Sequence, residues 1–329
     1  MNPSTLSGSG SSVHLSVVTP VYKAEGCVAE LCRRLKAALG QITEDFEIIM
    51  VEDASPDGSW DKVREEAEAD SRCRGIKLSR NFGQHFAITA GLDVARGDWV
   101  VVMDCDLQDP PEEIAKLYQA ALAGNFDIVF GRRVIRKDRW LKQMSSKCFY
   151  TVYNYLTDSK FDNSVANFSV SRRKVVEAFR QMREHNRMFP LFVRWLGFNV
   201  GYVDIDHASR FEGKTSYSFA KLLRLSLDSI VSQSNKPLSL AIGLGSTLSG
   251  VSFLIMTYYV LRYFFLGIPV AGWTTLVVSI WFLGGVVLAT LGVLGLYIGK
   301  IFNEVKNRPL YIVTETCGLS EGSRGRHES

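Results

Sequence analysis

The chain has 329 residues, 47% of them hydrophobic and 22% charged, with a formal net charge of +4. This length can bury a full core with residues to spare, and the mild charge argues against a nucleic-acid partner. Six cysteines without a CxxC pair exclude a regular disulfide framework and fit free thiols in a reducing compartment.

Residues 1–12 are Ser/Gly-rich and lack a basic-plus-apolar pattern, which predicts a disordered tail and no signal peptide. Short apolar runs then alternate with helical patterns, the signature of βαβ units and a largely parallel sheet. A strand over His14–Pro20 ends in Thr19-Pro20-Val21-Tyr22 and leads into a helix over Glu25–Leu39. The next strand, Phe46–Val51, runs into Glu52-Asp53-Ala54-Ser55, and a helix fits Ser59–Ala69. A strand over Gly75–Leu78 and a helix over Gln84–Ala95 follow.

The strand predicted over Trp99–Met103 runs into Asp104-Cys105-Asp106, and a helix then begins at Pro111 with Glu112 and Glu113 in its first turn. Residues i and i+2 of a strand share a face, so Asp104 and Asp106 can address one ligand. Two hard oxygen donors without a nearby His suit Mg²⁺ or Mn²⁺ carrying a diphosphate better than Zn²⁺. The alternative is a polar strand end with an N-capping Asp. Polar groups at three strand ends converge on one crevice, as in nucleotide-binding α/β sheets. The glycines form neither GxGxxG nor GxxxxGKS, so a dinucleotide fold and a P-loop are unsupported.

Beyond the helix over Pro111–Ala123, strands are predicted over Asp127–Phe130, Phe168–Ser171 and Val200–His207. Helices are predicted over Arg139–Tyr155 and Arg172–Met182. Basic residues gather between Arg132 and Lys147 and between Arg210 and Arg224. A helix from Phe219 to Val231 puts most of its apolar residues on one face, as an interfacial helix does. Two uncharged runs, about residues 238–261 and 273–299, are each long enough to span a bilayer. Lys and Arg flank the pair, so the positive-inside rule puts both ends in the cytoplasm. Small residues at four-residue spacing (Ala241, Gly245, Ser249; Gly295, Gly299) permit close helix packing.

Together TPVY, EIIMVEDASPDGS, LSRNFGQHFAITAGL, GDWVVVMDCDLQDPPEE and RFEGKTSYS resemble the family 2, GT-A fold glycosyltransferases. The closer likeness is to the branch that charges a polyprenyl phosphate with one sugar, over about residues 14 to 235. The resemblance implies a Rossmann-like GT-A domain over 13–215 and a juxtamembrane amphipathic helix over 216–237. Two transmembrane helices within 238–300 and a cytoplasmic tail over 301–329 would follow. It implies inverting, metal-dependent transfer from a nucleotide sugar, with uridine diphosphate as the expected carrier, to undecaprenyl phosphate at the cytoplasmic face of a bacterial inner membrane. The product would be a lipid-linked sugar for cell-envelope glycans, handled by a separate flippase and a downstream transferase, and the chain could form a homo-oligomer.

Residue by residue, the resemblance assigns Pro20, Tyr22 and Asp53 to the nucleotide pocket. It assigns Asp106 to a Mg²⁺ or Mn²⁺ bridging the phosphates, and Asp104 to the ribose or a metal-bound water. Gln108 would reach the donor, while Arg132, Arg210 and Lys214 would hold phosphates. Two positions depart from the family pattern: Glu52 precedes Asp53 where Asp is usual, and Asn167 stands where many relatives carry Asp. The acceptor is a phosphate monoester with a second pKa of about 6, already an anion at neutral pH, so Asn167 is read as orienting and no base is required.

His85 reads as a structural residue at a helix start and Cys105 as a packed thiol. Arg194-Trp195 lacks the Gln of the processive synthases' QxxRW, and two spans are too few for a polymer channel. A processive polysaccharide synthase and a catalytically silent membrane scaffold are the alternatives.

Overall fold

The computed structural model describes residues 13–133, 165–206, 234, 236–266 and 272–319. The chain divides into two units. The first is an α/β unit whose eight-stranded sheet has the order β7-β5-β6-β4-β1-β2-β3-β8. In chain order its strands are β1 Leu15–Val21, β2 Phe46–Glu52, β3 Cys73–Leu78, β4 Trp99–Val102, β5 Ile128–Arg133, β6 Val165–Arg172, β7 Val200–Ile205 and β8 Val313–Cys317. Its helices are α1 Glu25–Leu39, α2 Ser59–Ala69, α3 Gln84–Val94, α4 Ile114–Ala123, α5 Arg173–Gln181 and α6 Phe189–Trp195.

Both sheet faces are covered, which is why β1 and β2 are apolar almost throughout rather than alternating. On one face Val17, Ile48, Met50 and Val101 pack with Leu31 and Leu35 of α1, Trp60 of α2 and Leu117 of α4. On the other, Val18, Ile49, Val51 and Val100 meet Ile88 and Leu92 of α3 and Phe179 of α5. Alpha-3 lies close to the strands because Gly91 faces them. A Cβ there would fall 2.4 Å from Val18 Cγ1 and 3.1 Å from Val51 Cγ2.

The sheet is more mixed than βαβ alternation predicts. Strands β1 to β4 are mutually parallel and β7 is parallel to β5. Strand β6 is antiparallel to both β4 and β5, and β8 is antiparallel to β3. The sequence predicts one helix over Pro111–Ala123; its first turn is 3-10, Pro111–Glu113, before α4 begins.

Residues 309–319 belong to the first unit. Beta-8 pairs with β3 and forms the edge of the sheet, and Lys77 and Glu315 form a cross-strand ion pair at 2.9 Å. Trp60 Nε1 donates to Glu315 Oε2 at 3.0 Å. Leu310 is buried, and the Tyr311 hydroxyl donates to Asp93 at the end of α3, at 2.7 Å. Burial and the Asp93 carboxylate together push the Tyr311 phenol up from its ordinary value.

The second unit contains two long apolar helices, α7 Lys236–Leu266 and α8 Trp273–Val305. Within them Lys236–Ile255 and Ser279–Val305 are long and apolar enough to cross a membrane, with side chains such as Phe253, Leu254 and Trp281 exposed. The Tyr297 hydroxyl donates to the Ser234 carbonyl at 2.6 Å. Among the described residues, a Cβ at Gly245, Gly295 or Gly299 would meet nothing within 4 Å. The helices expected over Arg139–Tyr155 and Phe219–Val231 lie outside the described residues.

Candidate active site

Three loops leave the carboxyl ends of β1, β2 and β4, and each contains one non-glycine residue with positive φ. These are Lys23 (52°), Ala54 (49°) and Leu107 (58°). Left-handed backbone is disfavoured for side chains bearing a Cβ and collects at functional loops. Hydrogen bonds hold the first two loops together. Lys23 N–H donates to Ser55 Oγ at 2.7 Å, and Ala24 N–H to Ser59 Oγ at 3.1 Å. Ser55 and Ser59 both donate to Asp57 Oδ1, at 2.5 and 2.6 Å.

Strand β4 stops at Val102, so the aspartate pair stands in a turn and not on a strand. Strand alternation therefore does not direct the two side chains, and the turn itself presents the pair. Asp106 Oδ1 accepts the Gln108 N–H at 3.2 Å. Asp104 Oδ1 accepts Gln84 Nε2 at 2.5 Å and Asn167 Nδ2 at 3.3 Å. Both aspartates are half-buried, while Cys105 between them packs inward. Burial pushes its thiol up to about 12, so it stays protonated.

Gln84 was missed by the sequence reading. It opens α3, twenty positions before Asp104, and an amide in no recognised spacing gives no signal; only the packing of α3 places it there. Asn167, singled out as a departure from the pattern, lies on β6 beside β4 and reaches Asp104 through that pairing.

Asp53 is almost fully enclosed, 3% exposed. Its oxygens accept the backbone N–H groups of Phe82 and Gly83, both at 2.8 Å, so it holds the turn that starts α3. Gly83 has φ 106°, and a side chain at that position would be strained. Burial raises the Asp53 carboxyl above its ordinary range against the pull of these hydrogen bonds. Glu52 is buried toward the other face, accepts the Ser55 N–H, and is likewise raised by burial. Pro20 is buried at the end of β1, whereas Tyr22, just beyond it, is 43% exposed.

Arg132, at the far side of the sheet, donates through Nε to Asp204 Oδ1 at 2.6 Å. Lys116 Nζ reaches the Asp204 carbonyl at 2.6 Å. Arg210 and Lys214 lie outside the described residues, so of the three residues expected to bind phosphate only Arg132 is described. Gln108 is present in the aspartate turn, joined to it through its backbone.

His85 accepts the Phe189 N–H through Nδ1 at 3.4 Å, a structural role. Burial and the neighbouring Arg187 guanidinium lower its pKa from 6.5 to about 4. The folded protein therefore resists protonating His85 while the unfolded chain does not. This share of stability is complete above pH 6.5 and is lost as pH falls toward 4, by at most about 1.4 kcal/mol per pH unit. His85→Gln is expected to flatten that slope in denaturant melts between pH 6.5 and 4.5; an unchanged slope would assign the pH dependence to other groups.

A glycosyl transferase family 2 model matches residues 16–180. An uncharacterised glycosyltransferase of Synechocystis is 38% identical over 309 residues, spanning 94% of this chain and 97% of that protein. An undecaprenyl-phosphate 4-deoxy-4-formamido-L-arabinose transferase of Aeromonas hydrophila is 33% identical across 91% of this chain and 92% of its own length. A prophage-derived bactoprenol glucosyl transferase of Shigella flexneri is 34% identical across 92% of this chain and 98% of its own.

Proposed function

The chain belongs to glycosyl transferase family 2, and from that premise we propose that it transfers one sugar, with inversion, from a nucleotide sugar to a polyprenyl phosphate. The observation that carries this reading is identity along nearly the whole chain, apolar helices included, to transferases named for undecaprenyl phosphate and bactoprenol acceptors. A uridine diphosphate sugar is the proposed donor.

The crevice at the ends of β1, β2 and β4 takes the donor, with Pro20 and Tyr22 beside the nucleotide and Asp53 fixing the turn that delivers Gln84. Asp104 and Asp106 fit a hard divalent cation, because the donor set is carboxylate oxygen and the hydrogen-bonding neighbours are amides. Bound there, Mg²⁺ or Mn²⁺ would supply positive charge to the departing diphosphate. Gln84 and Asn167 set the orientation of Asp104, and Gln108 stands ready for the donor. Arg132, Arg210 and Lys214 hold phosphate, the acceptor's above all. That phosphate carries its own negative charge, so its oxygen attacks the anomeric carbon in line without giving up a proton.

The acceptor's tail requires a membrane. Helices α7 and α8 are proposed to cross it as a hairpin from the cytoplasmic side of a bacterial inner membrane. The pairing of β8 with β3 supports this, because the residues after α8 share a sheet with residues that precede α7. Lys and Arg at both ends of the pair agree with a cytoplasmic site. A flippase and a transferase that uses the lipid-linked sugar are the expected successors.

Release of nucleoside diphosphate from a UDP-sugar by the detergent-purified full chain tests the reading. Release should require polyprenyl phosphate and Mg²⁺ or Mn²⁺, and should fail with the corresponding polyprenol. Equal release without acceptor would contradict it. Asn167→Asp removes a donor to Asp104 and sets two carboxylates against each other, so turnover is expected to fall about tenfold. A rise by orders of magnitude would mean that a base is needed at this position after all.

A further inference from the structure

At the amino end of the sheet, away from the aspartate turn, three groups from three elements meet. They are Cys32 on α1, Glu66 on α2 and Cys73, the first residue of β3. One ligand atom from each lies within 4.8 Å of the other two. Both cysteines are 0% exposed, and Cys32 Sγ also touches Met50 Sδ at 3.4 Å. Glu66 closes the cluster on its solvent side, 23% exposed, and is paired with Lys36 Nζ at 3.0 Å. The same ammonium lies 3.5 Å from Asp70.

We propose that Cys32, Cys73 and Glu66 form a metal site for Zn²⁺, separate from the site of transfer. Two buried thiols could pack against apolar side chains alone; here a carboxylate is turned onto them, giving a donor set of two sulfurs and one oxygen. Tetrahedral Zn²⁺ with Zn–S bonds of about 2.3 Å and Zn–O bonds of about 2.1 Å needs ligand atoms roughly 3.5–3.8 Å apart. Side-chain adjustments of about an ångström therefore close the site. Binding converts both thiols to thiolates and releases two protons to solvent. A water on the Glu66 side completes the tetrahedron, and Lys36 keeps its contact with Asp70. The ion would tie α1, α2 and β3 together, which makes it structural.

The test uses the reduced, chelator-stripped full chain in detergent, titrated with Co²⁺. Cobalt bound by thiolates gives a near-ultraviolet charge-transfer band, and cobalt on the oxygen donors Asp104 and Asp106 does not. The band should saturate at one equivalent, disappear when Zn²⁺ is added, and be lost in Cys32→Ser and Cys73→Ser while persisting in Cys317→Ser. Glu66→Gln, at a half-buried position that leaves both thiols in place, should weaken Co²⁺ binding at least tenfold. Zn²⁺ should also raise the thermal midpoint of the native sequence and not of the cysteine variants. The proposal is overturned by absence of the band from the native protein or by its survival in the cysteine variants.

Discussion

Replacing Asp106 by alanine is expected to lower turnover at least about 10³-fold while leaving the fold intact. The carboxylate stands in the turn after β4, half-buried, and the strand core stops short of it at Val102. Its removal takes away the charge proposed to hold the divalent cation against the departing diphosphate. Loss of a single stabilising group of that kind costs about 10²–10³-fold, and loss of the metal's charge costs several kcal/mol. The hydrogen bond that Asp106 accepts from the Gln108 N–H contributes about 1 kcal/mol to the fold. Asp106→Asn separates the two effects, because the amide oxygen can still accept from Gln108 but carries no charge. It should be as inactive as the alanine variant and melt like the native protein. Substantial turnover by either variant would remove the metal assignment.

The second large effect is expected at Asp53. Here structure and activity should fall together, because the carboxylate is buried and satisfies two backbone N–H groups at the start of α3. Asp53→Ala leaves two part-buried donors without this acceptor, at about 1–3 kcal/mol each, so stability should drop by roughly 2–6 kcal/mol. The same change frees Gly83 and Gln84, and with them the hydrogen bond that orients Asp104. A fall of about 10²-fold in kcat/KM should accompany it. Asp53→Asn retains one acceptor and should lie between the two. Denaturant melts and kinetics on the same preparations decide the matter. An alanine variant with native stability and weakened donor binding alone would mean that Asp53 contacts the nucleotide instead of holding the turn.

Hydrophobic pattern made part of this fold readable. The bounds of α1 and α2 agree with the structure because amphipathic spacing and the flanking turns both end there. Direction of strand pairing was not readable. Beta-6 is buried on both faces, with Phe168 and Val170 on one and Ser169 and Ser171 on the other, and nothing in its residues reports that it runs antiparallel to β4. Beta-8 was hidden for the opposite reason: its residues are mostly exposed, and the pairing depends on Glu315 reaching Lys77 and Trp60 more than 200 positions away. Alpha-6 is a single short helix with Pro190 in its first turn, too brief for a periodic pattern to show.

The candidate site divides in the same way. The aspartates announced themselves through charge against an apolar run. Asn167 drew notice as a departure from a pattern. Gln84 and the holding role of Asp53 depended on the approach of α3 to the strand ends, which Gly91 permits and no local spacing encodes. Pairing of Arg132 with Asp204 likewise joins residues 72 apart.

The most direct measurement is the mass of the lipid formed when the purified chain is incubated with undecaprenyl phosphate, Mg²⁺ or Mn²⁺ and a panel of nucleotide sugars. The account predicts one product, the phospholipid acceptor carrying a single sugar residue, formed by the native chain and absent with Asp106→Ala. A ladder of longer products would make the chain a processive synthase, and unchanged lipid with intact donors across the panel would contradict transfer altogether.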